Sequence, residues 1–425
     1  MSALLERVNS MRRSSSARSE AADLDAQLAR CSVEERRSSE WEVSPVAAAS
    51  GEDGGAPFSD AAASVLRLQA AERAAPAVAG ASRGRGDAAY AKLWLELFLR
   101  VGPRESRRLR CALAGNLCFR RRDGAHLDVE FARRHLSPAD DARLIAHLRH
   151  AAERAPRKPG SYAVVSDVDD TMTPGGYGAL GVAGTDTTAP EGSFFPGCAQ
   201  LHRELGGPAG YSTLLTARPP PLVRSMIESA RGAELLRAFG PRIALLPGAS
   251  AAAEVGTNLK NILVAGLVRR RRGPWRSLAE YAAHARRRFS GLADHKTRAF
   301  ASYAACYPDF AGAFCFLGDD AQGDYLVARD LLRLNDARGA PLLAWCAVKH
   351  ARKRDGAAGD ALTPAVQVEM LRDARRESGD RRFFIFESYH DLAAQLHAAD
   401  WIPLDAKNRV VEASVEEGLA NDFFG

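Results

Sequence analysis

The sequence predicts an α/β protein built on a parallel sheet sandwiched by helices, and three observations predict it. Apolar runs of strand length recur at about 162–166, 211–216, 242–246, 313–318, 341–348 and 383–387. Stretches of helical character separate them, the alternation of a parallel sheet covered on both faces. Residues suited to chemistry follow directly after several of these runs, at the carboxyl ends of strands, where such sheets bind their ligands.

The whole chain sets the outer limits. Its 425 residues have room for two or three domains. Lys and Arg number 58 against 52 Asp and Glu, giving +6 and a pI near 9.0, a mild basicity compatible with anionic substrates or surfaces that does not single out nucleic acid. The cysteines at 31, 111, 118, 198, 306, 315 and 346 form no CxxC pair, so neither a zinc site nor a disulfide framework is expected. A reducing, cytoplasmic compartment follows. No apolar run reaches the roughly 18 residues of a membrane span, and the N-terminus lacks the apolar core of a secretory signal.

Residues 1–85 read as a disordered tail, rich in Ser, Ala, Gly and charge. Arg12-Arg13-Ser14-Ser15-Ser16 suits a kinase site or part of a transit peptide, although Glu20, Asp23 and Asp25 weigh against transit. A helical preface is expected over 86–158. Its first helix, 89–99, stops at Gly102-Pro103, and a later one starts at Ser137-Pro138 with Ser as cap and Pro in the first turn. His147 and His150 read as surface residues. The catalytic segment is expected over 159–405, followed by an acidic tail at 406–425.

Ser166-Asp167-Val168-Asp169-Asp170-Thr171-Met172 carries the clearest chemistry. Two carboxylates spaced i, i+2 at the end of a buried strand suit phosphoryl transfer. Asp167 can attack phosphorus, while Asp169 protonates the leaving oxygen and then activates water. Anions this close to a phosphate need a divalent cation, and oxygen ligands favour Mg²⁺. Taken alone, the stretch is equally a solvated acidic turn.

DxDxT after an apolar strand resembles the first motif of the haloacid-dehalogenase (HAD) superfamily of phosphohydrolases. Further parts appear in that family's order: Thr216 ending Tyr211–Thr216, Lys296 in Asp294-His295-Lys296, and Asp319 and Asp324 in Gly318-Asp319-Asp320-Ala321-Gln322-Gly323-Asp324. The resemblance implies a HAD-like Rossmannoid fold, with the strand carrying Asp167 flanked by those ending at Thr216 and Gly318. It implies that Thr216 hydrogen-bonds a phosphoryl oxygen and that Lys296, expected near a helix start, balances charge. Mg²⁺ would be held by Asp167, the backbone carbonyl of Asp169, and Asp319, with Asp324 favoured over Asp320 as the supporting acid. An acid at 169 goes with turnover rather than with a long-lived acyl phosphate.

Within the superfamily, 161–335 is similar to the phosphatidate-phosphatase catalytic domain of the yeast actin-patch type. The residues are the Ser166–Thr171 motif, Phe195-Pro196-Gly197, Leu215-Thr216-Ala217-Arg218-Pro219, His295-Lys296, Tyr307-Pro308-Asp309-Phe310 and the Gly318–Asp324 motif. Arg218 joins Thr216 and Lys296 as a substrate-binding candidate on this basis. The relatives usually carry Gly-Asp-Ser-Gly-Gln where this chain has Gly318-Asp319-Asp320-Ala321-Gln322.

Pro174 to Gly197 is too short for a full cap domain, so the cap is small or absent, and the span is either a mobile flap or an ordinary long loop. The apolar stretch 261–268 runs into Arg269–Arg272 and Trp275, with more arginines at 286–288. It suits an anionic membrane surface, an anionic headgroup or nucleic acid, or else a core helix followed by a solvated basic loop. Glu387 is read as a helix cap or a substrate contact, and 349–360 as a charged loop. Function is expected to be Mg²⁺-dependent phosphatase activity on phosphatidate or a related anionic lipid, with peripheral membrane contact. Soluble or nucleic-acid phosphates, or a non-catalytic phosphatidate-binding module, are the alternatives.

Overall fold

A computed structural model of the chain describes parts of 91–106, residue 133, 135–154, 162–175, 186–206 without 191, 212–216, 230–239, 243–246, 278–320, 323–336, 339–351, 364–378 and 381–420. The expected tail at 1–85, the centre of the 174–197 span, Arg218 and Arg269–Arg272 lie outside these residues.

The elements, in order, are α1 (Pro138–Arg154), β1 (Ala163–Ser166), α2 (Cys198–Gly206), β2 (Ser212–Leu215), α3 (Ala230–Phe239), β3 (Ile243–Leu246), α4 (Leu278–Cys306), a 3₁₀ turn (Pro308–Phe310), β4 (Phe314–Asp319), α5 (Asp324–Leu332), β5 (Leu343–Lys349), α6 (Pro364–Ser378), β6 (Phe383–Phe386), α7 (Tyr389–Ala398) and α8 (Leu404–Ala420). The strands form a 6-stranded sheet in the order β3-β2-β1-β4-β5-β6, and every pairing is parallel. The chain fills one side of β1 with β2 and β3, then crosses to begin the other side with β4. The crevice between β1 and β4 is thus the topological switch point, where ligands meet open α/β sheets.

Alternation along the strands explains why both faces are covered. Ala163 and Val165 of β1, with Phe314 and Phe316 of β4, join a core shared with α1, α4, α5 and α6. Val164, Cys315 and Leu317 point the other way, into a core made with α2, α3, α7 and α8. In β5 the alternation slips: Ala344 and Trp345 both face the second core, where the β4–β5 register shifts. A bulge absorbs the extra residue and turns the Trp345 ring toward Tyr162 and Phe384. Fully burying a side chain of this kind contributes about 1.5–3 kcal/mol.

Ala91, Leu95 and Phe98, spaced as one helix face, belong to the first core beside Leu144 and Leu148 of α1. Ser137 caps α1, its hydroxyl accepting the Asp140 N–H at 3.2 Å. His150 is exposed and His147 half-buried.

Two sequence expectations need correction. The segment expected to be an acidic tail from 406 is helix α8, because Ala406, Val410 and Ser414 form a buried stripe against α2 and α7. Glu417 and Arg409 fix it, Glu417 accepting the Gly197 N–H at 2.8 Å and Arg409 gripping Glu204 through two bonds of 2.7 Å. Glu412 and Glu416 are exposed on its solvated side, and that acidic character alone reads as a tail. Glu387 is exposed and does not cap α7; the Ser388 hydroxyl does, accepting the Asp391 N–H at 3.3 Å. No helix among the described residues is long and apolar enough to cross a membrane.

His202 of α2 is buried against Phe239 and pairs with the Ser212 hydroxyl at 2.9 Å. Burial pushes its pKa down from 6.5 to about 3, so the folded protein keeps it neutral while the unfolded chain takes up a proton. Its contribution to stability is therefore complete above pH 6.5 and is lost as pH falls toward 3. The slope approaches about 1.4 kcal/mol per pH unit in that window. His202→Gln is expected to flatten the fall in thermal midpoint on acidification; an unchanged slope would exclude His202 as its source.

Candidate active site

The site grows from the carboxyl ends of β1 and β4. Asp167 directly follows β1, and its N–H donates to Leu317 O of β4 at 2.9 Å, which carries the ladder one residue past the strand. The chain then turns tightly: the amides of Met172 and Thr173 both donate to Val168 O, and that of Asp170 to Thr173 O. Asp170 sits at φ 62°, a left-handed conformation that Asp tolerates better than most residues. Across the second core, the buried Tyr389 hydroxyl donates to Thr171 O at 2.9 Å and ties the turn to α7.

β4 ends in Asp319, and Gly323 then opens α5 in the left-handed conformation, at φ 91°, so that Asp324 is the first helical residue. Glycine is required at two of these positions. A Cβ on Gly318 would lie 2.6 Å from Asp324 Cβ, and one on Gly323 2.5 Å from Phe289 Cβ. This spacing lets the Asp324 carboxylate swing over the strand end. Asp167, Asp319 and Asp324 each offer a buried carboxylate oxygen, all within 4.8 Å of one another.

Lys296 links two members of this cluster, donating to Asp167 Oδ1 at 2.8 Å and Asp324 Oδ1 at 2.6 Å. It lies well inside α4, not near a helix start as expected. Leu278–Cys306 contains no proline, and its lone glycine, Gly291, costs only about 1 kcal/mol, so nothing breaks the helix before 306. Ala293, Lys296, Phe300 and Tyr303 form one buried face, and the ammonium is carried inward with its apolar neighbours.

Burial, with the charges of Asp324 and Asp169, pushes Asp167 up to about 7 despite the ammonium beside it. Burial and the neighbouring Asp324, Asp170 and Asp167 hold Asp319 well above the usual carboxylate range. Burial opposes the charge of Lys296, but Asp167, Asp324 and Asp319 outweigh it and raise its pKa. The cluster therefore holds more negative charge than one ammonium offsets. Asp324 Oδ2 is buried and has no hydrogen-bond partner. A metal ion fits this set: hard oxygen donors, an orphaned carboxylate oxygen and excess negative charge.

The remaining candidates fall around this centre. Asp169 is buried and bridges by its backbone to Thr173. Thr216 is buried just past β2 at the same sheet edge, its N–H donating to Leu246 O at 3.1 Å. Asp320, weighed as a supporting acid, is not one of the three converging carboxylates. Its side chain turns toward β5, accepting the Ala351 N–H at 2.9 Å and meeting His350 Nδ1 at 2.6 Å. Asp320 therefore braces β4 against β5, and Asp324 is the residue that meets Asp319. Lys349, expected to open a charged loop, is the buried last residue of β5 and pairs with Asp186 at 2.6 Å. Sequence reasoning did not single out Asp186, Lys349, His350 or Tyr389. The one signal available was a lysine directly closing the apolar run 342–348.

The fold and site define a parallel α/β protein with a buried aspartate triad at the switch point of its sheet. The chain matches no protein-family model, no curated protein and no solved structure.

Two outcomes follow from the geometry. Gly318→Ala is expected to displace Asp324 and weaken Mn²⁺ or Mg²⁺ binding by tenfold or more, about 1.4 kcal/mol, in calorimetry. Wild-type affinity in that variant would mean that Asp324 is not a ligand. Protons compete for the same oxygens, so cation affinity is expected to rise with pH up to about 7, approaching about tenfold per unit below it. A pH-independent affinity would remove Asp167 from the ligand set.

Proposed function

We propose that this protein is a divalent-cation-dependent phosphomonoesterase that works through an aspartyl phosphate on Asp167. The observation that carries the proposal is the Lys296-bridged cluster of Asp167, Asp319 and Asp324 at the crevice between β1 and β4. The HAD resemblance of the Ser166–Thr171 and Gly318–Asp324 motifs supports it independently of the geometry.

Asp167 Oδ attacks phosphorus, the ester P–O bond breaks, and Asp169 gives its proton to the departing alkoxide. Water then attacks the acyl phosphate, Asp169 takes its proton, and the P–O bond to Asp167 breaks to release inorganic phosphate. Lys296 holds Asp167 in line and offsets charge on the phosphoryl oxygens, with Thr216 as a hydrogen-bond donor to one of them. Asp167, Asp319 and Asp324 would hold the cation, with Mg²⁺ the ion best matched to this oxygen set, and when bound it supplies charge neutralisation for the phosphoryl group. Phosphatidate or a related anionic lipid is the proposed substrate, supported by the actin-patch-type resemblance over 161–335. Arg218 is the proposed further substrate contact on that basis.

Phosphate release should be measured with Mg²⁺ and with chelator, from phosphatidate in mixed micelles, inositol phosphates, nucleotides and an aryl phosphate. Cation-dependent release from phosphatidate is expected. Asp167→Asn should abolish it, and Asp169→Asn should reduce it by about 10²- to 10⁴-fold. Release confined to soluble esters would overturn the lipid assignment. Full activity in Asp167→Asn would overturn the mechanism.

A further inference from the structure

A second set of buried charges lies beside the triad. The Asp170 carboxylate, one residue beyond Asp169, accepts two backbone N–H bonds at its Oδ1, from Gly175 and from Asp186, each 2.9 Å. These two residues flank 176–185, so one oxygen joins the chain on either side of that segment. Asp186 in turn meets Lys349 Nζ through Oδ2 at 2.6 Å, while its Oδ1 accepts the Thr188 N–H at 2.8 Å. The Lys349 ammonium lies 3.6 Å from the centre of the Phe195 ring. Phe195 donates its own N–H back to Met172 O at 2.9 Å, within the turn that carries Asp169. Lys349 O accepts the Asp320 N–H at 3.1 Å, which joins the chain to the end of β4. Asp170, Asp186 and Lys349 are all buried.

Burying three charges is expensive unless each is satisfied, and here the bonds join three separate strand ends. Simple stabilisation of the sheet would not need them at this edge, since both cores are apolar. Three of them end on the short turn from Val168 to Thr173, the two amides on Asp170 Oδ1 and the Phe195 N–H on Met172 O, and the Lys349–Asp186 pair and the Lys349–Phe195 contact link these to the end of β5. We propose that Asp170, Asp186 and Lys349 form a positioning network that holds the turn carrying Asp169 in register with the triad, without itself touching substrate or cation. The inference rests on the phosphomonoesterase reading for its catalytic consequence, but not for its structural one.

Three variants separate the parts. Asp170→Gly keeps the left-handed backbone easy and removes the carboxylate, Asp170→Asn keeps one side-chain oxygen acceptor, and Lys349→Met keeps the stem without the charge. Amide hydrogen exchange of 168–175 and 186–195 is compared with that of strand 314–319, alongside Mg²⁺ affinity, kcat and KM. In Asp170→Gly, exchange in the first two segments is expected to rise by roughly ten- to a hundredfold, as for loss of charge-assisted hydrogen bonds, with strand exchange unchanged. At saturating Mg²⁺, KM should hold while kcat falls by a similar factor. Asp170→Asn should fall between, and Lys349→Met should loosen 186–195 most.

Wild-type exchange in both Asp170→Gly and Lys349→Met would overturn the network. Faster exchange with kcat unchanged would overturn its positioning role and leave a structural brace. A wild-type protein inactive on every phosphate ester would instead sink the phosphomonoesterase reading, and the exchange comparison would still decide whether the network holds the turn.

Discussion

The site depends on one electrostatic constraint, the compensation of three buried carboxylates by a single buried ammonium. Lys296 is enclosed between Asp167 and Asp324, at 2.8 and 2.6 Å. Removing either partner would strand a charge in a low-dielectric interior, which costs about 3–5 kcal/mol. The compensation is incomplete: burial first, and then the neighbouring carboxylates, keep the pKa values of Asp167 and Asp319 raised despite the ammonium. Added positive charge relieves that excess, which makes the cluster receptive to a cation.

The sheet delivers these groups from distant parts of the chain. β1 and β4 are neighbours only because the chain reverses its direction of travel across the sheet after β3. Asp167 and Asp319 follow from that adjacency, Asp324 from the left-handed Gly323 that starts α5, and Lys296 from the inward face of α4. The rigid parts are strands and helices. The turn from Val168 to Thr173 is irregular; Tyr389 and Phe195 hold its backbone from outside, and its own Asp170 carboxylate takes the amides of Gly175 and Asp186. The proposed phosphoryl transfer would need this division, because reacting atoms must be placed to within a fraction of an ångström.

The helices divide their work in the same way. α4 and α5 supply charge to the site as well as apolar packing to one core. α7 and α8 belong to the other core, where Tyr389 and the Gly197–Glu417 bond anchor the chain on either side of the site loop. The segment that the sequence presents as an acidic tail is therefore part of the wall behind the turn.

Much of the frame is legible in the sequence, because a strand buried on both faces must be a short apolar run. The expected runs 162–166, 211–216, 242–246, 313–318 and 383–387 meet strands within a residue or so at each end. Asp167, Asp169, Asp319 and Asp324 were visible since each directly follows such a run or a Gly-rich turn. Lys296 was visible only by resemblance, as a lysine on a helix reads as solvated unless the opposite face is known. Asp186, His350 and Tyr389 carried no local mark and Lys349 only its place closing an apolar run, because most of their partners lie far away in sequence. The resemblance favoured Asp324 over Asp320, but only the tertiary turn at Gly323 brings the Asp324 carboxylate to Asp319 and leaves Asp320 facing His350. Sequence pattern thus determined the elements and the acidic motifs, through local burial and turn chemistry. Tertiary structure decided which charges meet, because pairing in a low-dielectric interior depends on distances that no local pattern encodes.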